Sequence, residues 1–300
     1  MAFPPVCPSC GQPWHEQPQM LGVRRRDWES LAFRCLDCGI GYSNATNPKA
    51  RVRIVRHVDQ AVPDEVHDGL EDALEQALNE RNRPSKRNAF CSASSEDAVT
   101  WTVFRGLDRI GRLARVAQAI TPDHPESRDV DLLLWGVPVA SPTGAVIREQ
   151  LIAVSDELGE TSKSRSEPDV ILVTETHVVF IEAKTGSRND VNPSASGWGT
   201  YLKDEALFCV EPDQVQSAGY YELVRNWVIG NKLADRLGRD FLLINLGPAG
   251  LAADVKRLAP LLGTTAHRSF THGRWAGMLA EAEPLPQWLG EYVDRVGLLK

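Results

Sequence analysis

The chain has 300 residues, 42% hydrophobic and 24% charged, which excludes a disordered or fibrous protein and leaves an ordinary globular one. Its longest apolar runs, 131–139 and 241–246, are far too short to cross a bilayer, so no membrane partner is expected. Net charge is −7, and residues 1–60 hold eight Lys/Arg against five Asp/Glu, leaving −10 for the remainder, a balance unlike that of a protein that coats nucleic acid indiscriminately.

The chain opens MAFPPVCPSC, with no basic segment followed by an apolar stretch, so a cytoplasmic location is the expectation. Cys7 and Cys10 form one Cys-x-x-Cys-Gly knuckle, and Cys35 and Cys38 form a second. Two thiolates three positions apart on a tight turn reach one ion, and two such turns complete a tetrahedral four-sulfur shell. Residues 1–48 therefore read as a zinc-ribbon-like module with a structural zinc. The site is closed by its four sulfurs, so its role is structural or recognitional. Trp14, His15 and Trp28 are either its small core or a base-stacking surface. Arg24, Arg25 and Arg26 are the densest basic cluster, a solvated loop or a phosphate contact. Cys91 and Cys209 are expected as buried thiols rather than a disulfide.

Residues 49–90 read as a strand (49–58), an amphipathic helix (63–82) carrying Val66, Leu70, Ala73, Leu74, Ala77 and Leu78, and a polar linker (81–90). A larger domain, 91–300, follows. Its first helical segment has Ser94 or Ser95 as N-cap and acids in the first turn. Next come a short apolar strand in DVDLLLWGVPV, a helix over 145–159, and a hairpin in DVILVTETHVVFIEAK. A polar loop of roughly twenty residues then leads to a helix in DQVQSAGYYELVRNWVIGNKLADRL, loops of that length being usually functional or mobile. FLLINL is a buried strand, and a C-terminal helical extension of short helices and turns completes the chain.

The acidic residues carry the chemistry. Asp169 opens the first strand of the hairpin, and Glu182 and Lys184 lie two apart on the second, so both project from one face. Two carboxylates brought together in this way suit magnesium or manganese, which take hard oxygen ligands, and the Ala183 carbonyl is a further candidate ligand. The Lys184 ammonium would orient or help deprotonate an attacking water, or stabilise charge developing on a phosphate. An ExK at a strand end is also a common solvated edge, but here Val178–Ile181 are apolar and the charges arrive where a buried strand emerges.

Glu167-Pro168-Asp169 followed by Glu182-Ala183-Lys184 resembles the signature of the PD-(D/E)xK nuclease superfamily. Glu96 resembles the helix-borne extra acid of many such nucleases, although an acid there also suits the helix dipole. Gln216 and Tyr220 resemble the QxxxY pattern of RecB-like members, and their i, i+4 spacing sets both on one helical face. The resemblance, over about 90–246, implies an α/β fold: a restriction-endonuclease-like core with a mixed central sheet flanked by helices, beside the four-cysteine module. It implies a metal-dependent nuclease, most readily a DNA endonuclease of restriction, repair or phage defence, with Asp169, Glu182, Lys184, Glu96, Gln216 and Tyr220 as site residues. The alternative is a non-catalytic nucleic-acid-binding or assembly subunit that keeps the fold. Nothing in the sequence separates DNA from RNA. Cutting both strands of a duplex usually takes two active sites, which allows a homodimer or a larger defence complex.

Overall fold

The computed structural model describes residues 4–24, 27–121, 129–141 and 143–299. Arg25 and Arg26 lie outside these residues; Arg24 is exposed. The architecture is α/β, with a mixed six-stranded sheet flanked by helices and a small four-stranded sheet near the N-terminus.

The small sheet is antiparallel, in the order β1 (His15–Glu16), β2 (Phe33–Arg34), β3 (Ile40–Tyr42), β4 (Arg53–Val55). The strand expected over 49–58 is thus three residues long and completes the cysteine module's sheet. Trp14 is buried with Cys7, Cys35 and Ile40 and meets the Tyr42 ring edge-on at 5.6 Å, so it is core. His15 is exposed, and Trp28 packs partly buried against the main core.

The periodicity over 63–82 buries all six of its apolar residues, but the helix α1 covers only Leu70–Gln76. The expected polar linker is instead helix α2 (Arg83–Phe90). Its polar composition hides two inward residues four apart. Phe90 is fully buried, and the Lys86 ammonium lies over the Trp135 ring, 4.7 Å from its centroid. Pro84 fits the first turn because its missing N–H needs no partner there. Helix α3 (Glu96–Arg109) is capped by Ser95, whose hydroxyl accepts from the Ala98 N–H at 3.2 Å, and α4 (Leu113–Ile120) follows.

The segment expected as one strand turns back on itself as β5 (Asp131–Leu134) and β6 (Val137–Ala140). Trp135 and Gly136, with φ of 54° and 73°, make the turn. Positive φ at both central residues matches strand twist in a two-residue hairpin, but at a tryptophan it is strained. Burial between Trp101, stacked at 5.7 Å, and Phe90 holds Trp135 there. Helix α5 (Gly144–Glu157) leads to the expected hairpin, β7 (Val170–Val173) and β8 (His177–Ala183), paired Val170 to Ile181.

Beyond the polar loop lies a short helix α6 (Trp198–Tyr201). The long helix expected across 213–237 is two: α7 (Pro212–Ala218) and α8 (Tyr221–Leu237), broken at Gly219 with φ of 80°. A side chain at Gly219 would strike Val191 of the polar loop, at 2.8 Å, so the loop crosses where only glycine fits. Strand β9 (Asp240–Leu246) follows α8, then α9 (Ala252–Leu258). The C-terminal extension is not wholly helical. Its β10 (Arg268–Gly273) pairs parallel to β9, and α10 (Trp275–Ala280) and α11 (Gln287–Arg295) end the fold. Only Phe270 of β10 is buried, so this edge strand lacks the alternation that betrays a strand.

The large sheet runs β10-β9-β8-β7-β5-β6, parallel among β10, β9 and β8 and antiparallel beyond. One face packs on α3, α4, α10 and α11, the other on α5 and α8. Cys91 is buried, as expected; Cys209 is exposed, its thiol directed to the Leu262 carbonyl at 3.3 Å. Among the described residues no helix is long and apolar enough to cross a membrane.

Gly230 marks the closest approach of α8 to β9. A Cβ there would lie 2.1 Å from the Phe241 ring, which is wedged against Phe180 and Trp227 and has no room to swing. Gly230→Ala should therefore destabilise the protein by about 1–3 kcal/mol through overpacking, despite alanine's better helix propensity. Urea denaturation checks this; equal or greater stability would show that the α8–β9 contact is loose.

Candidate functional site

Four elements converge on one open cleft of about 740 Å³: the N-termini of α3 and α8, the inner face of α2, and the end of the β7–β8 hairpin. The hairpin register that pairs Val170 with Ile181 sets Asp169 and Glu182 at the same end of adjacent strands. Strand alternation turns both to the face covered by α8, while Ala183 turns its methyl into the opposite core. The Ala183 N–H donates to Asp169 Oδ2 at 2.8 Å, which fixes the first carboxylate against the second strand.

Glu182 is only 4% exposed. A carboxylate so enclosed requires partners, and it has two: the Lys184 ammonium on Oε1 and the Asn226 amide of α8 on Oε2, each donating at 2.8 Å. Lys184 also approaches Glu222 at 3.4 Å. Burial alone would lower the Lys184 pKa, but Glu182, Glu222 and Asp169 outweigh it and hold it above its ordinary value. Asp169 keeps a window on the cleft yet lies deep among protein atoms. Burial first, then the negative charge of Glu182, pushes its carboxyl well above the usual range.

Glu96 lines the same cleft and ties down the loop after β8. It accepts from the Thr185 N–H at 2.6 Å and from the Ser187 hydroxyl at 2.9 Å. The structure thus gathers Asp169, Glu182, Ala183, Lys184 and Glu96 around one space. Gln216 and Tyr220 do not line that cleft. Because Gly219 ends α7, the two do not share a helical face. Gln216 donates to the Pro193 carbonyl at 2.9 Å and Tyr220 to Asp254 at 3.0 Å, so they brace the polar loop and α9.

Sequence reasoning missed Lys86 and the α8 residues and left Glu167 without a role. Lys86, from the supposed linker, reaches Asp97 at 3.0 Å and Glu167 at 3.5 Å. Burial would lower its pKa, but Asp97, Glu167 and Asp169 together raise it. Glu167 also accepts from the Asn79 N–H at 2.9 Å, so this acid links α2 to the β7 entry. Finally, Glu222, Arg225 and Asn226 of α8 border the site. Asn226 had a signal: an amide in the apolar run of α8, fully buried, needs a polar partner inside.

The hard oxygen donors of Asp169 and Glu182, in a cleft open to water, fit a magnesium-like ion, which keeps several of its waters. The raised Asp169 carboxyl fits as well, because a divalent cation would reverse the repulsion from Glu182. The second centre is better defined. The sulfurs of Cys7, Cys10, Cys35 and Cys38 all lie within 4.8 Å of one another, the only such cluster of three or more potential ligands among the described residues. Zinc–sulfur bonds of about 2.3 Å put tetrahedral sulfurs about 3.8 Å apart, so four cysteines placed thus can bind a zinc ion. Each knuckle closes with an N–H from its glycine, Gly11 to Cys7 at 2.9 Å and Gly39 to Cys35 at 3.0 Å, and both glycines have positive φ.

In comparisons with known proteins, no family model, no curated protein and no solved structure matches the chain.

The charge on Asp169 has a stability consequence. A carboxyl whose folded pKa is raised favours the fold below its unfolded pKa and loses that contribution as pH rises through the folded value. In metal-free protein, Asp169→Asn should keep the acceptor for Ala183 and remove the loss. Thermal melts at pH 5 and pH 8 should show the variant gaining on the wild type at pH 8, by roughly 2–4 °C per kcal/mol relieved. An equal shift at both pH values would mean that Asp169 is not held against its ionisation.

Proposed function

We propose that this protein is a metal-dependent nuclease that hydrolyses phosphodiester bonds, most readily in DNA, with Asp169 and Glu182 holding a magnesium or manganese ion. The observation that carries this reading is the pairing of these two carboxylates at one end of adjacent strands, in one cleft, with the Lys184 ammonium beside them. The bound ion would polarise the phosphate and activate water. Lys184 is kept charged by its three acidic neighbours, so it acts as a cation that orients the nucleophile and offsets phosphate charge, not as a base. Asn226 fixes the rotamer of Glu182 from behind, and Glu96 holds the loop that forms the rim. Lys86 fixes Glu167 and Asp97 beside Asp169. The resemblance of EPD and EAK to the PD-(D/E)xK signature points the same way and suggests the setting of restriction, repair or phage defence, where a homodimer or larger complex would cut both strands. The cysteine cluster is assigned a structural zinc.

Cleavage of plasmid and single-stranded DNA should require magnesium or manganese and should fail with calcium alone. Asp169→Ala and Glu182→Ala should each lower the rate on the order of a hundredfold to a thousandfold. Their double variant should be little worse, because the two act as one unit. Lys184→Ala should lose turnover while still binding metal. A wild type that cuts nothing under any metal would hand the function to the alternative, a non-catalytic nucleic-acid-binding subunit.

Metal analysis should find about one zinc per chain, and Cys35→Ser should lose it. Since the module's own core is so small, that variant should expose residues 4–45 to protease while the large sheet stays protected. Protein purified without chelators and free of zinc would reject the assignment.

A further inference from the structure

The cleft does not end at Glu96. Ser92 and Ser95 line it, and they also line a second groove of about 600 Å³ that runs between β4 and α11. The floor of this groove is largely apolar and includes Trp288, partly buried against the core. Its rim carries Arg53 from β4 and Arg295 from α11, both exposed. Neither guanidinium has a carboxylate partner among the described residues; Arg295 rests on the Tyr292 ring, 5.1 Å from its centroid. Arg225, at the cleft end of the same track, has no carboxylate partner among the described residues and reaches the Asn226 side chain at 3.4 Å. Other arginines, Arg87, Arg105, Arg165, Arg236 and Arg268 among them, are ion-paired to Asp or Glu. Glu291 is the one acid in the groove, and Gln287 occupies it at 2.8 Å.

We propose that this groove binds single-stranded DNA leading into the cleft, with phosphates on Arg53, Arg295 and Arg225 and bases against the apolar floor. The proposal rests on the nuclease reading for the cleft. A duplex keeps its bases inside and would leave the apolar floor unused, whereas a single strand presents bases to apolar and aromatic side chains while its phosphates track cations. DNA rather than RNA is named because the cleft is read as a DNA nuclease; an RNA strand offers the same phosphates and bases and is an arm of the test. The arginine of β4 is also rigidly placed. Arg53 pairs with Tyr42 across the small sheet, and its carbonyl accepts from the Ala93 N–H at 2.9 Å. The cysteine module thereby supplies one wall of the groove.

The test is equilibrium binding by the full-length protein, in calcium, to a labelled thymidine oligonucleotide, to a duplex of equal length and to the corresponding RNA. The single-stranded DNA should bind about tenfold tighter than either competitor. Arg53→Ala with Arg295→Ala should weaken it about tenfold and flatten the salt dependence by about 1.4 logarithmic units, two phosphates' worth. Arg53→Lys with Arg295→Lys should retain most of the affinity, which separates charge from damage to the fold. Unchanged binding by the alanine pair, tighter binding of duplex or RNA, or no binding at all overturns the proposal. The cleft is judged separately. A wild type that binds through these arginines but cuts nothing sinks the nuclease reading and leaves the groove standing. If it cuts and the alanine pair cuts with unchanged KM, the groove falls alone.

Discussion

A carboxylate taken almost wholly out of water is the constraint around which this molecule is arranged. Glu182 sits at the end of the central strand β8, and its ionised form is tolerable only because Lys184 and Asn226 satisfy both oxygens. Those two partners come from the strand itself and from the helix that crosses to β9. The sheet, the crossover helix and the cleft are therefore fastened at one charged group. Replacing the set by apolar residues would suit the sheet as well or better, which is why so demanding an arrangement at the mouth of a cleft points to function rather than to support.

A second polar cluster mirrors the first from the other wall. Lys86 sits over Trp135 and between Asp97 and Glu167, on a helix held by packing against the strained turn of the β5–β6 hairpin. Two ammonium groups thus flank Asp169. The cleft is less negative than its carboxylates alone suggest.

The hairpin that carries Asp169, Glu182 and Lys184 is legible in the sequence because an apolar run that ends abruptly in charges marks the point where a buried strand emerges. The cysteine knuckles are legible from spacing alone. What the sequence conceals follows a physical pattern. Helix α2 resembles linker because its inward face uses Lys86, a polar residue made acceptable by partners 11 and 81 positions away. Strand β10 buries a single side chain and so carries no alternation. The break at Gly219 depends on Val191 of a loop with no periodicity, and it removes Gln216 and Tyr220 from a common face. The cysteine module reads as separate, yet Leu31, Ile54 and Val55 bury themselves in the main core, a tertiary dependence invisible to local pattern.

The hydrogen bonds of the cleft span very different stretches of chain. The bond from Ala183 to Asp169 closes 14 residues, that from Asn226 to Glu182 closes 44, that from Thr185 to Glu96 closes 89, and the Trp275 indole reaches the Lys184 carbonyl across 91. The entropy lost in closing a loop grows with such separations, and contacts of long range form late. During synthesis the hairpin can pair soon after it emerges, but the cleft cannot be finished until the chain beyond α10 has left the ribosome. The half-made protein would carry its carboxylates without the frame that aims them. Order of assembly thus leaves the cleft incomplete until nearly the whole chain has emerged.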